Sequence, residues 1–453
     1  MTLRGRTNYL FLLFLALSLV RGVLYASVIP PWQAPDEMAH FEYISLLYQE
    51  RQLLQPDDAS LPLQQEIISS LYQHHFWSYI PYPEPETMPL SLAEIPFVGR
   101  SSVLARFSLA YPLGALFFGP VFYQDITTQL YAMRLVSVIL SMLVVATAFL
   151  TVRELFPNDK FLLVAVPAWI VFLPQHSYIT SSVSDGSLAE LLISILTYIM
   201  VVAFRRGLSL PRMVTALLLV TLGLWTKATA AFALPWLAIG GLFFLRGRKG
   251  EAEKKRPVPW VTLALIVMAV CLTIWSVQNL QTLRRWWPVA HGWFNAQPDS
   301  SGGIQALWTH AIAVFKSFWV YFGWMMAPLA PLWYALLGLL SLAALGGVAA
   351  FLAKATRRAR LVSSWQRRAV LLLLVGSLLS IIMVLATFGA NYSQGRYLYP
   401  AIVAFSILFI LGIRQLIPWG YEKYLLPLII SSFFLFDTLC HMDYLLPFFY
   451  GGR

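Results

Sequence analysis

Four short stretches of the chain hold the residues that could do chemistry. The first, residues 30–41, reads Pro-Pro-Trp-Gln-Ala-Pro-Asp-Glu-Met-Ala-His-Phe and follows directly on the first long apolar stretch. Asp36, Glu37 and His40 therefore stand where a membrane helix should end, and ionisable groups at that depth are costly unless they serve a purpose. A carboxylate held at the membrane surface can act as a general base and take the proton of an acceptor hydroxyl. Pro35 could place Asp36 in the first turn of a helix, where the positive end of the dipole helps keep it ionised. The bland alternative is a helix cap whose acids only complement that dipole. His40 lies four residues after Asp36, so the two can share a helix face and could hold a divalent metal ion. Glu37 or the His74-His75 pair would have to complete such a site. A hydrogen-bonded helix histidine is the plainer alternative.

The other three stretches lie far along the chain. Asp185 sits in Thr180-Ser181-Ser182-Val183-Ser184-Asp185-Gly186, a turn between two apolar spans. It is a candidate second acid that orients the acceptor or binds metal, although Ser-Asp-Gly is also ordinary turn and helix-cap chemistry. Lys227, in Leu224-Trp225-Thr226-Lys227-Ala228, has apolar sequence on both sides and no polar loop. Its ammonium has to reach an anionic ligand, or snorkel to the interface. Arg396 lies in Asn391-Tyr392-Ser393-Gln394-Gly395-Arg396-Tyr397, with Tyr399 and Pro400 just beyond. Its planar fork of donors suits phosphate oxygens, with Gln394 and Tyr397 able to add hydrogen bonds. An anchor at the lipid headgroups is the alternative.

These stretches must be positioned by membrane helices. The chain has 453 residues, of which 58% are hydrophobic and 12% charged, and a mean hydropathy of +0.67. Soluble domains carry about 25% charged residues. The net charge of +11 does not call for nucleic acid, because Lys and Arg collect in cytoplasmic loops of membrane proteins. Cys271 and Cys440 both fall in apolar segments and offer neither a disulfide framework nor metal spacing. A span needs about 20 apolar residues. That length predicts an all-α integral membrane protein with about eleven transmembrane helices near 8–28, 128–151, 161–179, 187–204, 208–226, 228–245, 258–278, 331–353, 369–389, 397–413 and 422–440. The 208–226 span is the weakest, since Pro211 and Arg212 shorten its apolar core. Segment 8–28 resembles a signal anchor, but no small-residue cleavage site follows it, so it is read as a membrane helix.

Charge sets the orientation. With the N-terminus inside, about two-thirds of the basic residues, including Lys254-Lys255-Arg256, fall in short inner segments, against about a quarter of the acidic ones. The reading is thus one polytopic membrane domain over 1–453, with a first extracytoplasmic loop at 30–127 and a second extracytoplasmic segment at 280–330. Within the first loop, residues 36–51 and 60–80 have helical periodicity and 107–123 is a short apolar helix at the membrane face. Pro81, Pro83, Pro85 and Pro89 impose a loop between them. In the second segment, Arg284, Arg285, Trp286, Trp287, His291 and Trp293 precede an apolar helix at about 307–327.

Taken together, the Pro35-Asp36-Glu37 opening with His40 and Phe41, the Asp185 turn, the Thr226-Lys227 step and the Gln394-Gly395-Arg396-Tyr397 turn resemble the GT-C superfamily of integral membrane glycosyltransferases. The chain is also similar to a group of bacterial multi-pass proteins that share the PDExxHF opening and the late GRYxxP segment. The resemblance spans nearly the whole chain through short motifs whose order is more specific than any one of them. It implies a GT-C-like fold and a glycosyltransferase in the cell membrane that uses a polyprenyl-phosphate-linked sugar donor, hexosyl or pentosyl, at the extracytoplasmic face. The acceptor would be a lipid, glycan or protein. In that reading Asp36 is the base or metal-linked carboxylate, Glu37 supports it, and Lys227 and Arg396 hold the donor phosphate. The chain ends soon after its last span, unlike the oligosaccharyltransferase branch with its large soluble C-terminal domain, which favours transfer of one sugar. A transporter or flippase of a lipid-linked glycan is the second reading, but it should show internal repeats and mid-membrane ionisable residues. A non-catalytic envelope scaffold is the third.

Overall fold

The computed structural model describes residues 3–52, 54, 58–95, 103, 107–247, 303–353, 363–387, 394–418 and 420–451. In chain order its helices are α1 (Leu3–Val28), α2 (Glu37–Glu50), α3 (Leu61–Gln73), α4 (Ala110–Phe118), α5 (Ile126–Leu155), α6 (Lys160–Val171), α7 (Pro174–Thr180) and α8 (Gly186–Arg206). There follow α9 (Leu210–Thr226), α10 (Ala233–Gly247), α11 (Gly303–Trp319), α12 (Pro331–Leu352), α13 (Ser364–Thr387), α14 (Ile402–Leu416), α15 (Glu422–Leu439) and α16 (Leu446–Tyr450). A 3₁₀ turn, Gly395–Ala401, leads into α14.

Seven of these segments are long and apolar enough to cross a membrane: Thr7–Val28, Ile126–Leu155, Gly186–Arg206, Pro331–Leu352, Ser364–Ala386, Gly395–Leu416 and Glu422–Tyr450. The expected span at 161–179 is instead two helices, α6 and α7, bent by 57°. Pro174 causes the break: it lacks an N–H and forces Leu173 before it out of the helical region, to φ −84° and ψ 106°. The expected spans at 208–226 and 228–245 are present as shorter apolar helices, Leu210–Thr226 and Ala228–Phe244. The 258–278 span lies outside the described residues. The expected helix at 307–327 stops early. After α11 the chain turns into a two-residue hairpin, β1 (Tyr321–Phe322) against β2 (Ala327–Pro328). Gly323 and Met325 take positive φ of 57° and 60° there, which no helix tolerates.

The spans pack as a bundle around α5, α6, α8 and α14. Small residues allow the closest crossing. A Cβ on Gly347 of α12 would collide with the Gly412 carbonyl of α14, and a Cβ on Gly412 with the Ala344 carbonyl. Asp437 of α15 ties the last span to the first: it pairs with Arg21 and accepts the Tyr25 hydroxyl at 2.8 Å. The first loop builds its own apolar core, in which Trp32, Phe41, Ile68, Leu71 and Phe118 are fully buried. The helices expected at 36–51, 60–80 and 107–123 are all present in it, and they present residue 36 to the bundle.

Candidate active site

Asp36 stands at the start of α2 in the left-handed region, with φ 64° and ψ 7°. Its carbonyl accepts the N–H groups of Ala39 and His40, both at 3.1 Å, so its backbone is a true helix cap. Its side chain is not. A capping carboxylate sits on an extended backbone and reaches the second or third amide, whereas Asp36 makes no such bond. Instead its Oδ2 accepts Arg396 Nη2 at 2.8 Å, across 360 residues of sequence. The Arg396 Nη1 donates to the Pro35 carbonyl at 3.3 Å, and its guanidinium lies over the Tyr397 ring at 5.2 Å. Arg396 Nε is buried and has no partner among the described residues. The 3₁₀ turn that carries Arg396 is pressed onto α11: Gly395 N donates to Ser317 Oγ at 2.8 Å, and any Cβ at Gly395 would strike the Phe318 backbone. Only glycine allows that approach.

Asp185 repeats the arrangement. It precedes α8, yet Ser184 Oγ rather than its carboxylate takes the Gly186 N–H, at 3.0 Å. The Asp185 carboxylate is bound to Lys227 Nζ at 2.5 Å. Burial alone would raise this carboxyl, but Lys227, with His40 and Arg396 behind it, outweighs burial and holds it below the usual carboxylate range. Lys227 interrupts the apolar run in an extended conformation, φ −154° and ψ 135°, between α9 and the 3₁₀ turn Ala228–Phe232. His40 is close enough to both ion pairs to feel their charges. Its Nδ1 shares a 3.0 Å hydrogen bond with the Tyr111 hydroxyl. Burial lowers its pKa, and it senses the charges of Asp185, Lys227, Asp36 and Arg396 together. The structure thus brings Asp36, His40, Asp185, Lys227 and Arg396 into one electrostatic cluster. The two cations are not free clamps: each already holds a carboxylate.

Glu37 is placed differently from its neighbour. Both its oxygens are bound by Arg134 of α5, at 2.8 and 2.7 Å, and both side chains are fully buried. Glu37 Oε1 also accepts the Val183 N–H at 3.0 Å, two residues before Asp185. Arg134 spends its other donors on the carbonyls of Ala26, Ile29 and Pro30. An arginine has five N–H donors, and all five are used. Glu37 is therefore not available to a substrate. It ties the Asp36 turn to the Asp185 turn. Arg134 was not anticipated from the sequence, although a lone arginine inside an apolar span was the signal that could have found it.

Gln394 and Arg396 line a small pocket with Gln175, Tyr178, Ser317 and Tyr321. Tyr397 stays beside the Arg396 guanidinium, its hydroxyl 3.5 Å from Nη2. His40, Tyr111 and Ser184 are polar residues lining a second small pocket, which Ile44, Leu113 and Leu140 help to wall. Two further buried residues of α7 hold the site. Gln175 grips the Tyr321 backbone through Oε1 at 2.7 Å and Nε2 at 3.3 Å, and the Tyr178 hydroxyl donates to the Gln33 carbonyl at 2.8 Å. As for a divalent metal, no group of three or more His, Cys, Asp or Glu side chains converges among the described residues. Glu37 is committed to Arg134, and His74 bonds Thr127 at 3.1 Å. Of the residues that would complete a metal site, Glu37 and His74 are thus engaged elsewhere.

No protein-family model and no curated protein matches the chain. Solved structures do. The oligosaccharyltransferase of Archaeoglobus fulgidus in the apo form superposes with a TM-score of 0.50 and 12% identity, covering 97% of this chain and 55% of that one. AglB from Archaeoglobus fulgidus, in complex with an inhibitory peptide and a dolichol-phosphate, gives a TM-score of 0.50 and 12% identity over 98% and 55% of the two chains. ArnT from Cupriavidus metallidurans, bound to undecaprenyl phosphate, gives 0.47 and 13% over 94% and 64%. This chain therefore spans between about half and two-thirds of the length of these proteins. At such identity the likeness speaks for architecture alone: the chain has the GT-C membrane fold.

Proposed function

We propose that this chain is a membrane glycosyltransferase that moves a sugar from a polyprenyl-phosphate donor to a hydroxyl of a lipid, glycan or protein acceptor, at the extracytoplasmic face. The observation that carries this reading is the convergence of two acid–cation pairs, Asp36–Arg396 and Asp185–Lys227, from four distant parts of the sequence. Displacement at an anomeric carbon needs a base on one side and charge stabilisation of the departing phosphate on the other. Asp36 suits the base. Its side chain is 30% exposed, against 9% for Arg396, and only one of its oxygens is bound among the described residues. Arg396 and Lys227 suit the phosphate, with Gln394 and Tyr397 beside it, and His40 and Asp185 fix the acceptor side. Glu37 acts by positioning. The polyprenyl-phosphate class is supported by the fold it shares with AglB, whose structure holds a dolichol-phosphate.

The test is sugar transfer by the full chain in nanodiscs, using a panel of radiolabelled hexosyl and pentosyl polyprenyl phosphates. Asp36→Asn removes the base but keeps its size. General-base catalysis contributes about 10²–10⁴-fold, so turnover is expected to fall by that order while donor binding survives. A fully active Asp36→Asn protein would remove Asp36 from the chemistry, and absence of transfer from every donor would refute the class.

A further inference from the structure

The resting pairing of Arg396 with Asp36 puts the base and the phosphate cation of the proposed reaction in one ion pair. Taken as a static picture this is a contradiction. A carboxylate that neutralises the clamp weakens it, and a clamp that holds the carboxylate makes it a poorer base. The contradiction resolves when the charges are followed through the reaction. The donor is a phosphodiester with one negative charge. The acceptor O–H bond breaks and its proton goes to Asp36. The acceptor oxygen forms a bond to the anomeric carbon. The bond from that carbon to the phosphate oxygen breaks, and its electron pair stays on the oxygen. The product is a phosphate monoester, which carries about −1.5 to −2 at neutral pH. One charge therefore disappears from Asp36 as one appears on the phosphate.

We propose that Arg396 changes partner in that step, holding Asp36 while it is ionised and passing to the leaving phosphate once Asp36 has taken the proton. This rests on the glycosyl-transfer reading and assigns Arg396 a second contact within it. Three observations single out this pair. It is held by one oxygen of Asp36, at 2.8 Å, so a single bond has to be released. Arg396 keeps an unpartnered buried Nε among the described residues, and its side chain lines a small pocket beside Gln394 and Gln175. Its stacking on Tyr397 and its bond to the Pro35 carbonyl fix the guanidinium plane without using a charge. By contrast Lys227 and Asp185 are in tighter contact, 2.5 Å, and the carboxyl is held ionised, so that pair keeps its partners. Moving one cation a short distance keeps the site neutral around Asp36 throughout, and no isolated charge is left in a half-dry cavity, where it would be most costly.

The consequence runs against the usual effect of removing a site residue. Asp36→Asn mimics the protonated base, so it should free Arg396 and tighten binding of the product. The experiment is equilibrium binding of two probes to the full chain in nanodiscs at pH 7.5: a short-chain polyprenyl phosphate, which is a monoester, and its methyl ester, which is a diester. Asp36→Asn is expected to bind the monoester about tenfold more tightly than wild type and the diester with a smaller gain, and Arg396→Gln in the same chain is expected to abolish both gains. Asp36→Ser is the second variant, should the asparagine protein not fold. If wild type binds the monoester through Lys227, shown by its loss in Lys227→Gln, and neither Asp36 variant gains affinity, the exchange is wrong and the donor reading stands. A gain that persists in Arg396→Gln also overturns the exchange. If no variant binds either probe, the donor reading falls and the exchange with it.

Discussion

His40 shows how much of the site's chemistry is set by burial. In the unfolded chain its imidazole takes a proton near pH 6.5. In the fold, burial first, with Lys227 and Arg396 adding to it and Asp185 and Asp36 opposing, keeps it neutral to lower pH. Just below pH 6.5 the unfolded chain therefore binds more protons than the folded one. Stability must rise with pH across that window and be lost on acidification. Asp185 also has a lowered pKa, but its contribution is lost only as pH falls below the ordinary carboxyl value of 3.8, outside the window. Thermal midpoints of the purified protein, measured from pH 7.5 down to 5, should fall. His40→Gln can still bond the Tyr111 hydroxyl, and it should flatten that part of the profile. An equally steep fall in the variant would show that other groups set the acid limit. Asp36, His40, Asp185, Lys227 and Arg396 could be picked out as candidates in the sequence because each is an ionisable group at the end of an apolar stretch or in the turn beside one. Their pairing was not legible: Lys227 and Arg396 have no acidic neighbour in sequence, and only the fold supplies one.

At the level of elements, the site is an assembly of helix starts and breaks. Asp36 opens α2, Asp185 opens α8, Lys227 separates two helical segments, and Arg396 rides a 3₁₀ turn. Such termini leave backbone groups unpaired, and the chain covers them with side chains other than the reactive ones, Ser184 being an instance. Helices α2 and α3 could be read from apolar periodicity and α4 from its short apolar run, although α2 is buried on every side over Glu37 to Leu46. The break at Pro174 and the hairpin at Tyr321–Pro328 escaped, since apolar composition is the same in a straight span, a bent pair and a buried turn. What holds the starts of α2 and α8 in register is Glu37 with Arg134. Removing one partner of a buried pair strands the other charge, at a cost of about 3–5 kcal/mol. Glu37→Gln and Arg134→Met should each lose about that much in urea unfolding, and each should lose transfer activity. Glu37→Leu combined with Arg134→Met should lose clearly less than the sum of the single changes, because no charge is left behind. Additive losses would mean that the two residues act separately and that the tie is not what positions Asp36 against Asp185.

Over the whole molecule the charges divide between the two ends of the bundle. One end carries the two acid–cation pairs and the first loop. At the other, Glu154 binds Arg206 at 2.7 Å, Arg414 binds Glu422 at 2.7 Å, and Gln366 reaches the Leu155 carbonyl at 2.6 Å. Arg205, Arg212 and Lys160 stand near the same helix ends. This is the distribution expected when basic residues anchor the cytoplasmic side. The fold itself carries no direction, so orientation is argued from charge alone, and the described residues hold seven long apolar helices, one bent pair and three shorter apolar helices. The decisive residues are exposed ones at opposite ends. Glu86 lies in the proline-rich part of the first loop, and Asn158 lies in the turn between α5 and α6. With Cys271 and Cys440 replaced by alanine, Glu86→Cys should react on intact cells with a thiol reagent that cannot cross the membrane. Asn158→Cys should react only after the membrane is opened. The reverse pattern would turn the whole chain over. Asp36 and Arg396 would then face the cytoplasm, where sugar donors are nucleotide-linked as well as lipid-linked, and the polyprenyl-phosphate assignment would lose its reason. Labelling of both positions from outside would mean that an odd number of crossings between them has been misread, with α5 the segment to doubt first.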